Sequence, residues 1–173
     1  LADICGYILK KDSPSCGMER VKIYGAQGPA ERKGAGLFAA ALLRRFPLLP
    51  VEEEGRLNDH HLRENFIIRV FAYARLRELF RVRFSVGKLV AFHTAHKYLL
   101  MAHCPVHYKT LGKLVAAAKD RDPAELRDEY RRLFMEALAI KTTTRKNVNV
   151  LQHISGFLKE KIARPIEHSL SKA

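Results

Sequence analysis

The chain has 173 residues, of which 31 are Lys or Arg and 18 are Asp or Glu, so its formal net charge is +13. Hydrophobic residues make up 47% of the sequence, which suffices for a buried core and excludes a disordered basic tail. Three cysteines are an odd number at no bridging-type spacing, so a secreted disulfide framework is not expected. No apolar run reaches the roughly 18–20 residues that cross a bilayer, and we predict a cytoplasmic protein without membrane contact.

The positive charge is concentrated in the second part of the chain. Residues 1–57 hold nine Lys+Arg against seven Asp+Glu, whereas residues 58–173 hold 22 against 11 and all eight histidines. This excess favours a polyanionic partner, because binding a phosphate backbone releases condensed counterions. The alternative is a solvated surface that serves solubility. Nucleic acid ranks above a membrane, since no stretch combines a basic face with a large exposed apolar one.

Residues 1–57 are predicted to form the back half of a small α/β domain. Their branched and aromatic runs predict strands, and their glycines predict a loop. Two strands and one helix do not close a sheet, so we expect the front half of this domain to be missing. The expected elements are strands at Tyr7–Lys10 and Val21–Tyr24, a long mobile loop at residues 25–36, a helix at Leu37–Arg45 and a surface connection at Glu52–Gly55.

From Asn58 onward the apolar residues recur with a period of about 3.6, which predicts an all-α helical bundle. Asp122 followed by Pro123 and Glu125 is a strong signal for a helix start. Five helices are expected. The first is capped by Asn58 or Asp59, and the others start near Ser85, Pro105, Asp122 and Asn147. The second helix is expected to run unbroken to about His103, and the last to end before Pro165.

A polar turn at Asp12–Gly17 separates the two predicted strands and contains Cys16. This thiol has three possible roles that the local sequence leaves open: a nucleophile, a metal or iron–sulfur ligand, or an inert residue. Cys5 and Cys104 are predicted to be structural. Because iron–sulfur clusters take several protein ligands, this chain is not expected to assemble a cluster by itself.

Three histidines of the second predicted helix, His93, His96 and His103, fall within an arc of ~80° on an ideal helix. One interpretation is a metal site, which would make this segment a hydrolase. A second is RNA recognition, in which imidazoles stack on bases or bond to phosphates. The third is packing, with the rings hydrogen-bonded to carbonyls or to neighbouring tyrosine and histidine side chains.

Hydroxyls and cations crowd the segment Lys141–Asn147, directly before the last predicted helix. Together with free backbone N–H groups at a helix start, they would form a phosphate-binding site. The alternative is a solvated loop whose Asn147 caps the helix. The candidate RNA-binding residues are therefore His93, His96, Lys97, His103, Lys141, Arg145, Lys146, Asn149 and His153.

Two sets of motifs resemble known families. Those of the first part, Gly6–Lys10, Ser13–Gly17, Tyr24–Gly25 and Gly34–Gly36, resemble the C-terminal part of the thiouracil desulfurase family. Those of the second, Phe92–His103, Tyr108–Gly112 and Asn149–Phe157, resemble the YbgA family. In this order they resemble the tRNA 4-thiouridine desulfidases, with residues 1–57 as the desulfurase-like part and residues 58–173 as a YbgA-like helical domain that is truncated at its C-terminus.

This resemblance implies a four-iron four-sulfur cluster held by cysteines, of which Cys16 matches the third ligand, and a substrate-side serine matched by Ser13. It also implies that water converts a C=S bond of a thiolated base to C=O, that sulfide leaves, and that the helical domain binds tRNA. The first two cluster cysteines of the family have no match in this chain. We therefore expect a fragment of an enzyme that lacks the cluster and is inactive alone. The alternative is a non-enzymatic nucleic-acid-binding helical module.

Overall fold

The computed structural model describes residues 3–23, 31–81 and 83–170, without the side chains of residues 32, 33 and 159–170. Short strands lie in the N-terminal part and helices follow, which confirms the predicted fold class. The strands are β1 (Tyr7–Leu9), β2 (Val21–Ile23), β3 (Glu31–Gly34) and β4 (Val51–Glu53). The helices are α1 (Leu37–Arg45), α2 (His60–Arg81), α3 (Val86–Ala95), α4 (Lys97–His103), α5 (Pro105–Ala116), α6 (Pro123–Ala139) and α7 (Thr144–Leu170).

The described strands form two small sheets. β1 pairs with β4 in parallel, and β2 pairs with β3 antiparallel. The loop predicted over residues 25–36 was therefore wrong at β3, because β2 supplies the ladder partner that local sequence does not reveal. Tyr24, Gly25, Gly28 and Pro29 lie outside the described residues. The predicted boundary after Leu57 stays a prediction.

The acidic run Glu52–Gly55 was predicted to be a surface connection, and this was wrong. Glu52 and Glu53 belong to β4 and are only 7% and 3% exposed. Their burial is possible because each carboxylate has a partner. Arg56 Nε donates to Glu52 at 2.6 Å, and the backbone N–H of Met18 donates to Glu53 at 2.6 Å.

The main core lies among the helices, around the fully buried side chains of Leu111, Tyr130 and Phe134. A smaller core lies between β1, β4 and α1, around Leu9 and Leu42. The half-buried side chain of Tyr73 on α2 packs against both cores, so it links the two parts of the chain. No helix within the described ranges has both the length and the apolar character of a membrane span.

Four predicted helix starts are confirmed. The Asp59 carboxylate accepts the N–H groups of His61 and Leu62 at 2.8 and 3.0 Å at the start of α2. Ser85 Oγ accepts the backbone N–H of Lys88 at 3.3 Å, and Pro105 is the first residue of α5. The Asp122 carboxylate accepts the N–H groups of Ala124 and Glu125 at 2.8 and 3.0 Å. These caps supply acceptors for helix N–H groups that have no partner within the helix.

The second predicted helix is broken at His96, whose φ of −99° and ψ of 6° are not helical. Its Nδ1–H bonds the Phe92 carbonyl at 2.8 Å, and Thr94 Oγ1 bonds back to the Val90 carbonyl at 2.8 Å. Such side-chain donors compete with the helix ladder. The 80° arc was therefore wrong, because it assumed one ideal helix through His93, His96 and His103.

The last helix also differs from its predicted bounds. α7 begins at Thr144, three residues before Asn147, and it continues through Pro165 to Leu170. Thr143 provides the cap: its Oγ1 accepts the Lys146 N–H at 3.3 Å and its carbonyl accepts the Asn147 N–H at 3.0 Å. The predicted phosphate-binding segment thus lies partly within the first turn of α7.

Candidate functional site

The turn that contains Cys16 is shaped by Ser13. Ser13 Oγ accepts the backbone N–H groups of Ser15 at 3.3 Å and of Cys16 at 3.2 Å, and the Ser13 carbonyl accepts the Gly17 N–H at 2.8 Å. A serine hydroxyl that accepts two hydrogen bonds still has its proton to donate. Ser13 therefore holds the turn. Its hydroxyl oxygen lies 3.2 Å from the Cys16 backbone nitrogen and still has a proton to donate. Its predicted catalytic role stays a prediction.

This turn is seated on the first turn of α1. The Ser15 carbonyl accepts the N–H groups of Phe38 at 3.0 Å and Ala39 at 3.2 Å. These are helix donors that lack partners inside the helix, so the turn takes the place of a side-chain cap. A Cβ built on Gly36 would overlap the Ser15 carbonyl, so only glycine allows the two segments to approach this closely.

Cys16 is half-buried and packs at the edge of the smaller core. Hydrogen bonds fix the turn on both sides of it. Ser13 holds the side before the thiol, and the buried Glu53 accepts the Met18 N–H on the side after it. The thiol is thus held in a defined position without being sealed in the interior.

The other two cysteines have different surroundings. The Cys5 thiol lies 3.5 Å from Arg77 Nη1, and Cys104 Sγ lies 3.0 Å from His107 Nδ1 on α5. Within residues 3–23, 31–81 and 83–170, no group of three or more His, Cys, Asp or Glu side chains is placed to hold a metal ion. The described residues therefore do not fit a four-iron four-sulfur cluster, because Cys16 is a single thiolate donor here.

The three histidines of the predicted recognition stripe point inward. His96 and His103 are 7% and 1% exposed, and His93 is half-buried. Nδ1 of His103 donates to the Ile140 carbonyl at 2.7 Å, while His93 Nδ1 shares a hydrogen bond with the Tyr130 hydroxyl at 3.2 Å. Burial lowers the pKa of all three imidazoles. This placement agrees with the packing alternative.

The predicted cations before and within α7 do not share one role. Lys141 and Arg145 are exposed. The half-buried Lys146 instead donates to the His103 backbone carbonyl at 2.7 Å, which ties α7 to the end of α4. The exposed pair is therefore available to an anionic ligand, whereas Lys146 has a structural bond.

An open groove of about 420 Å³ runs along α7. Predicted residues Asn149 and His153 line it together with Gln152, Gly156 and Phe157. Lys97 Nζ lies 5.5 Å from the centre of the Phe157 ring, which is 52% exposed. Amide and imidazole groups beside an exposed aromatic ring and a cation are the side chains that contact single-stranded RNA. The sequence did not single out Phe157 for this groove.

Two family models match the chain at positions that include these features. Residues 1–54 match the model described as 2-thiouracil desulfurase, and residues 97–172 match the model described as protein of unknown function DUF1722. The chain is therefore similar to the 2-thiouracil desulfurase model in its first part and to the DUF1722 model in its last part. Ser13 and Cys16 lie in the former, and the α7 groove lies in the latter.

A curated relative agrees with the second match. The uncharacterized protein YbgA of Escherichia coli K12 is 26% identical over 107 residues, which is 61% of this chain and 63% of the relative. The chain thus spans less than two thirds of the curated relative that it matches. No solved structure matches the chain. These matches confirm the predicted resemblance. As labels for what they resemble, and not for an activity, we call residues 1–54 the desulfurase segment and residues 97–172 the YbgA segment.

Two residues that position the desulfurase turn were missed at the sequence level. Gly36 was assigned to a mobile loop, although two glycines directly before a helix were a signal for close approach. Glu53 was assigned to the surface because its backbone N–H partner, at Met18, lies 35 positions away in the chain. The turn is therefore a tertiary structure built from three separate stretches.

Proposed function

We propose that this chain is part of a desulfidase that removes sulfur from 4-thiouridine in tRNA. Water supplies the oxygen, so that the C=S bond of the base becomes C=O and the sulfur leaves as sulfide. The observation that carries the proposal is the 2-thiouracil desulfurase match across the turn that fixes Ser13 and the half-buried Cys16. The name of that model specifies a thiolated nucleobase.

In this proposal the chain's own residues orient the base. Ser13 keeps a hydroxyl proton to donate, which suits hydrogen bonding to an acceptor atom of the base. The Cys16 thiolate is the single donor that this turn would offer to the four-iron four-sulfur cluster that the resemblance implies. The remaining ligands would come from outside the described residues of this chain.

The RNA-holding role rests on exposed groups of the YbgA segment. Lys141 and Arg145 stand at the start of α7, whose first turn has no acidic residue. Backbone phosphates are favoured at such a position by the cations and by the helix N–H groups. The groove beyond them adds Phe157 as a stacking surface and His153 as a hydrogen-bonding group.

The experiment uses the parent protein, purified without oxygen and loaded with iron and sulfide, together with tRNA that contains 4-thiouridine. We expect sulfide release and loss of the thiolated nucleoside. Cys16→Ser should lower both to the level without protein. Cys104→Ser is the matched control, because that thiol lies in the helical part beside His107, and it should keep both activities.

A loaded parent protein that leaves thiolated tRNA unchanged would contradict the desulfidase proposal. The second candidate, a nucleic-acid-binding module without sulfur chemistry, is favoured by the exposed cations and by the absence of a metal-holding group among the described residues. It predicts that such an inactive protein still binds unmodified tRNA, with affinity that falls steeply as salt is raised.

A further inference from the structure

A cavity of about 430 Å³ lies where the two parts of the chain meet. Its walls come from the loop after α1, from α2 and from α6. Cavities of this size at such junctions are common places for small ligands. We name it the junction cavity. Neither Ser13 nor Cys16 lines it, so it is a feature that the proposed desulfuration does not use.

The charge of the junction cavity favours an anion. Arg45, Arg77 and Arg131 line it, and Asp128 is the acidic residue among its lining side chains. The guanidinium of Arg131 lies over the Phe80 ring at 4.5 Å, and its Nη1 is 3.3 Å from the Asp128 carboxylate. A guanidinium held in this way keeps a fixed plane, and a planar fork matches the geometry of a phosphate.

Part of the lining of the junction cavity is aromatic. Phe46 and Tyr73 line the junction cavity, and both are half-buried. The Arg45 guanidinium carbon lies 5.5 Å from the centre of the Phe46 ring, so a cation and an aromatic face occur side by side. A planar ring of a ligand would find stacking partners here, and its anionic group would find the arginines.

A neighbouring cavity of about 340 Å³ is lined by more acidic residues than the junction cavity. It shares Arg77 and Arg131 with the junction cavity but adds the carboxylates of Asp3 and Glu78. Glu78 pairs with Arg81 at 2.8 Å there, which offsets the added cation. The excess positive charge is therefore greater in the junction cavity, which Arg45 lines, than in the neighbouring cavity, which it does not line.

We propose that the junction cavity binds a nucleotide. Its phosphate contacts Arg45 and Arg131, and its base lies against Phe46 and Tyr73. The same chemistry is offered by a free nucleoside 5′-monophosphate and by one nucleotide of an RNA strand. This goes beyond the desulfidase proposal and does not depend on it.

The test is a calorimetric titration of the full chain with uridine 5′-monophosphate. We expect saturable binding, with Arg45→Gln and Arg131→Gln each weakening it about tenfold or more, because each loses a hydrogen bond between charged groups. The matched controls are Arg44→Gln and Arg132→Gln, which change the exposed neighbouring arginines outside the cavity and should bind within about twofold of the original chain. Arg131→Lys keeps the charge without the fork and should still weaken binding.

Several results would overturn this proposal. They are no binding at millimolar uridine 5′-monophosphate, equal affinity in the Arg45→Gln chain, or equal affinity for uridine without its phosphate. Thermal unfolding of each variant checks its fold, and the Arg45 variant carries the test alone if Arg131→Gln does not fold. Competition by an unmodified oligouridylate assigns the site to an RNA nucleotide, whereas binding without competition assigns it to a free nucleotide. Cys16→Ser should leave all of these affinities unchanged, which separates this test from that of desulfuration.

Discussion

The desulfurase segment holds its polar turn through backbone contacts, whereas the YbgA segment presents its polar groups as side chains on the outside of a helix. The turn at Ser13–Gly17 depends on carbonyl and N–H groups of three stretches of chain. In the YbgA segment, Lys141 and Arg145 are exposed while His103 bonds inward. The first site should therefore be sensitive to a single added carbon atom, and the second to salt and charge.

The largest effect is expected from Gly36→Ala. The new Cβ would overlap the Ser15 carbonyl, so the turn must separate from α1. Overpacking of this kind costs up to about 3 kcal/mol of the free energy of unfolding. We also expect faster alkylation of Cys16, because the turn loses its hydrogen bonds to the start of α1. Mass spectrometry of the labelled peptide measures the alkylation rate.

Gly87→Ala is the matched control for this change. Gly87 lies in α3, and a Cβ built there has no neighbour within 4 Å. Alanine in a helix is favoured over glycine by up to about 1 kcal/mol, so this variant should be as stable as the original chain or more stable. If Cys16 in the Gly36→Ala chain is alkylated at the original rate, and the chain unfolds at the original denaturant concentration, the backbone contacts between the turn and α1 do not hold the turn in place.

Local signals explain which parts of the fold were predictable. Ser85, Pro105 and Asp122 act within one helical turn of their own position, so their sequence neighbours suffice to identify the helix starts. The order of a strand-containing part followed by helices was predictable for the same reason, because the hydrophobic period is a local pattern. The motifs around Cys16 and His96 carried the family resemblance that the comparisons confirm.

The parts that were missed depend on partners far away in the chain. β4 was predicted to lie on the surface because Glu52 and Glu53 are acidic. Nothing in the local sequence shows that Arg56 and the Met18 N–H donate hydrogen bonds to their carboxylates. The break at His96 shows in its backbone angles, and its side chain also bonds the Phe92 carbonyl, which the hydrophobic period does not indicate. The burial of His96 and of the two glutamates was therefore not predictable from the sequence.

Lys141→Ala combined with Arg145→Ala tests the second half of the comparison. Both cations are exposed, so the double variant should fold normally and bind tRNA more weakly. If each contacts one phosphate, the slope of log affinity against log salt falls by about 2 in magnitude. Filter binding at several salt concentrations measures this slope.

Lys119→Ala with Lys113→Ala is the charge-matched control for the tRNA measurement. Both lysines are exposed near the end of α5, and neither lies on α7. This control should keep most of the original slope if RNA binds at the start of α7. Equal loss of slope in the two double variants would mean that the charge acts through the whole surface rather than through a defined site.

The smallest expected effect is the response of stability to pH, and it comes from the interior histidines. Burial lowers the pKa of His96 and His103 in the folded chain below their ordinary value of 6.5. Above pH 6.5 both rings are neutral whether the chain is folded or not. As the pH falls below 6.5, the unfolded chain takes up protons that the folded chain does not, so the free energy of unfolding decreases. Urea unfolding between pH 8 and pH 5 measures this decrease.

His96→Phe separates the histidine contribution from other titrations. The ring of His96 stacks on Phe92 at 4.1 Å, and its buried Nε2 has no hydrogen-bond partner among the described groups, so a phenyl ring removes an uncompensated polar atom. The Phe92 carbonyl still accepts the backbone N–H of residue 96, a hydrogen bond of 3.1 Å. We expect stability within about 1 kcal/mol of the original at pH 8 and a shallower loss toward pH 5. An unaltered slope in His96→Phe would show that the pKa of this imidazole does not differ between the folded and the unfolded chain.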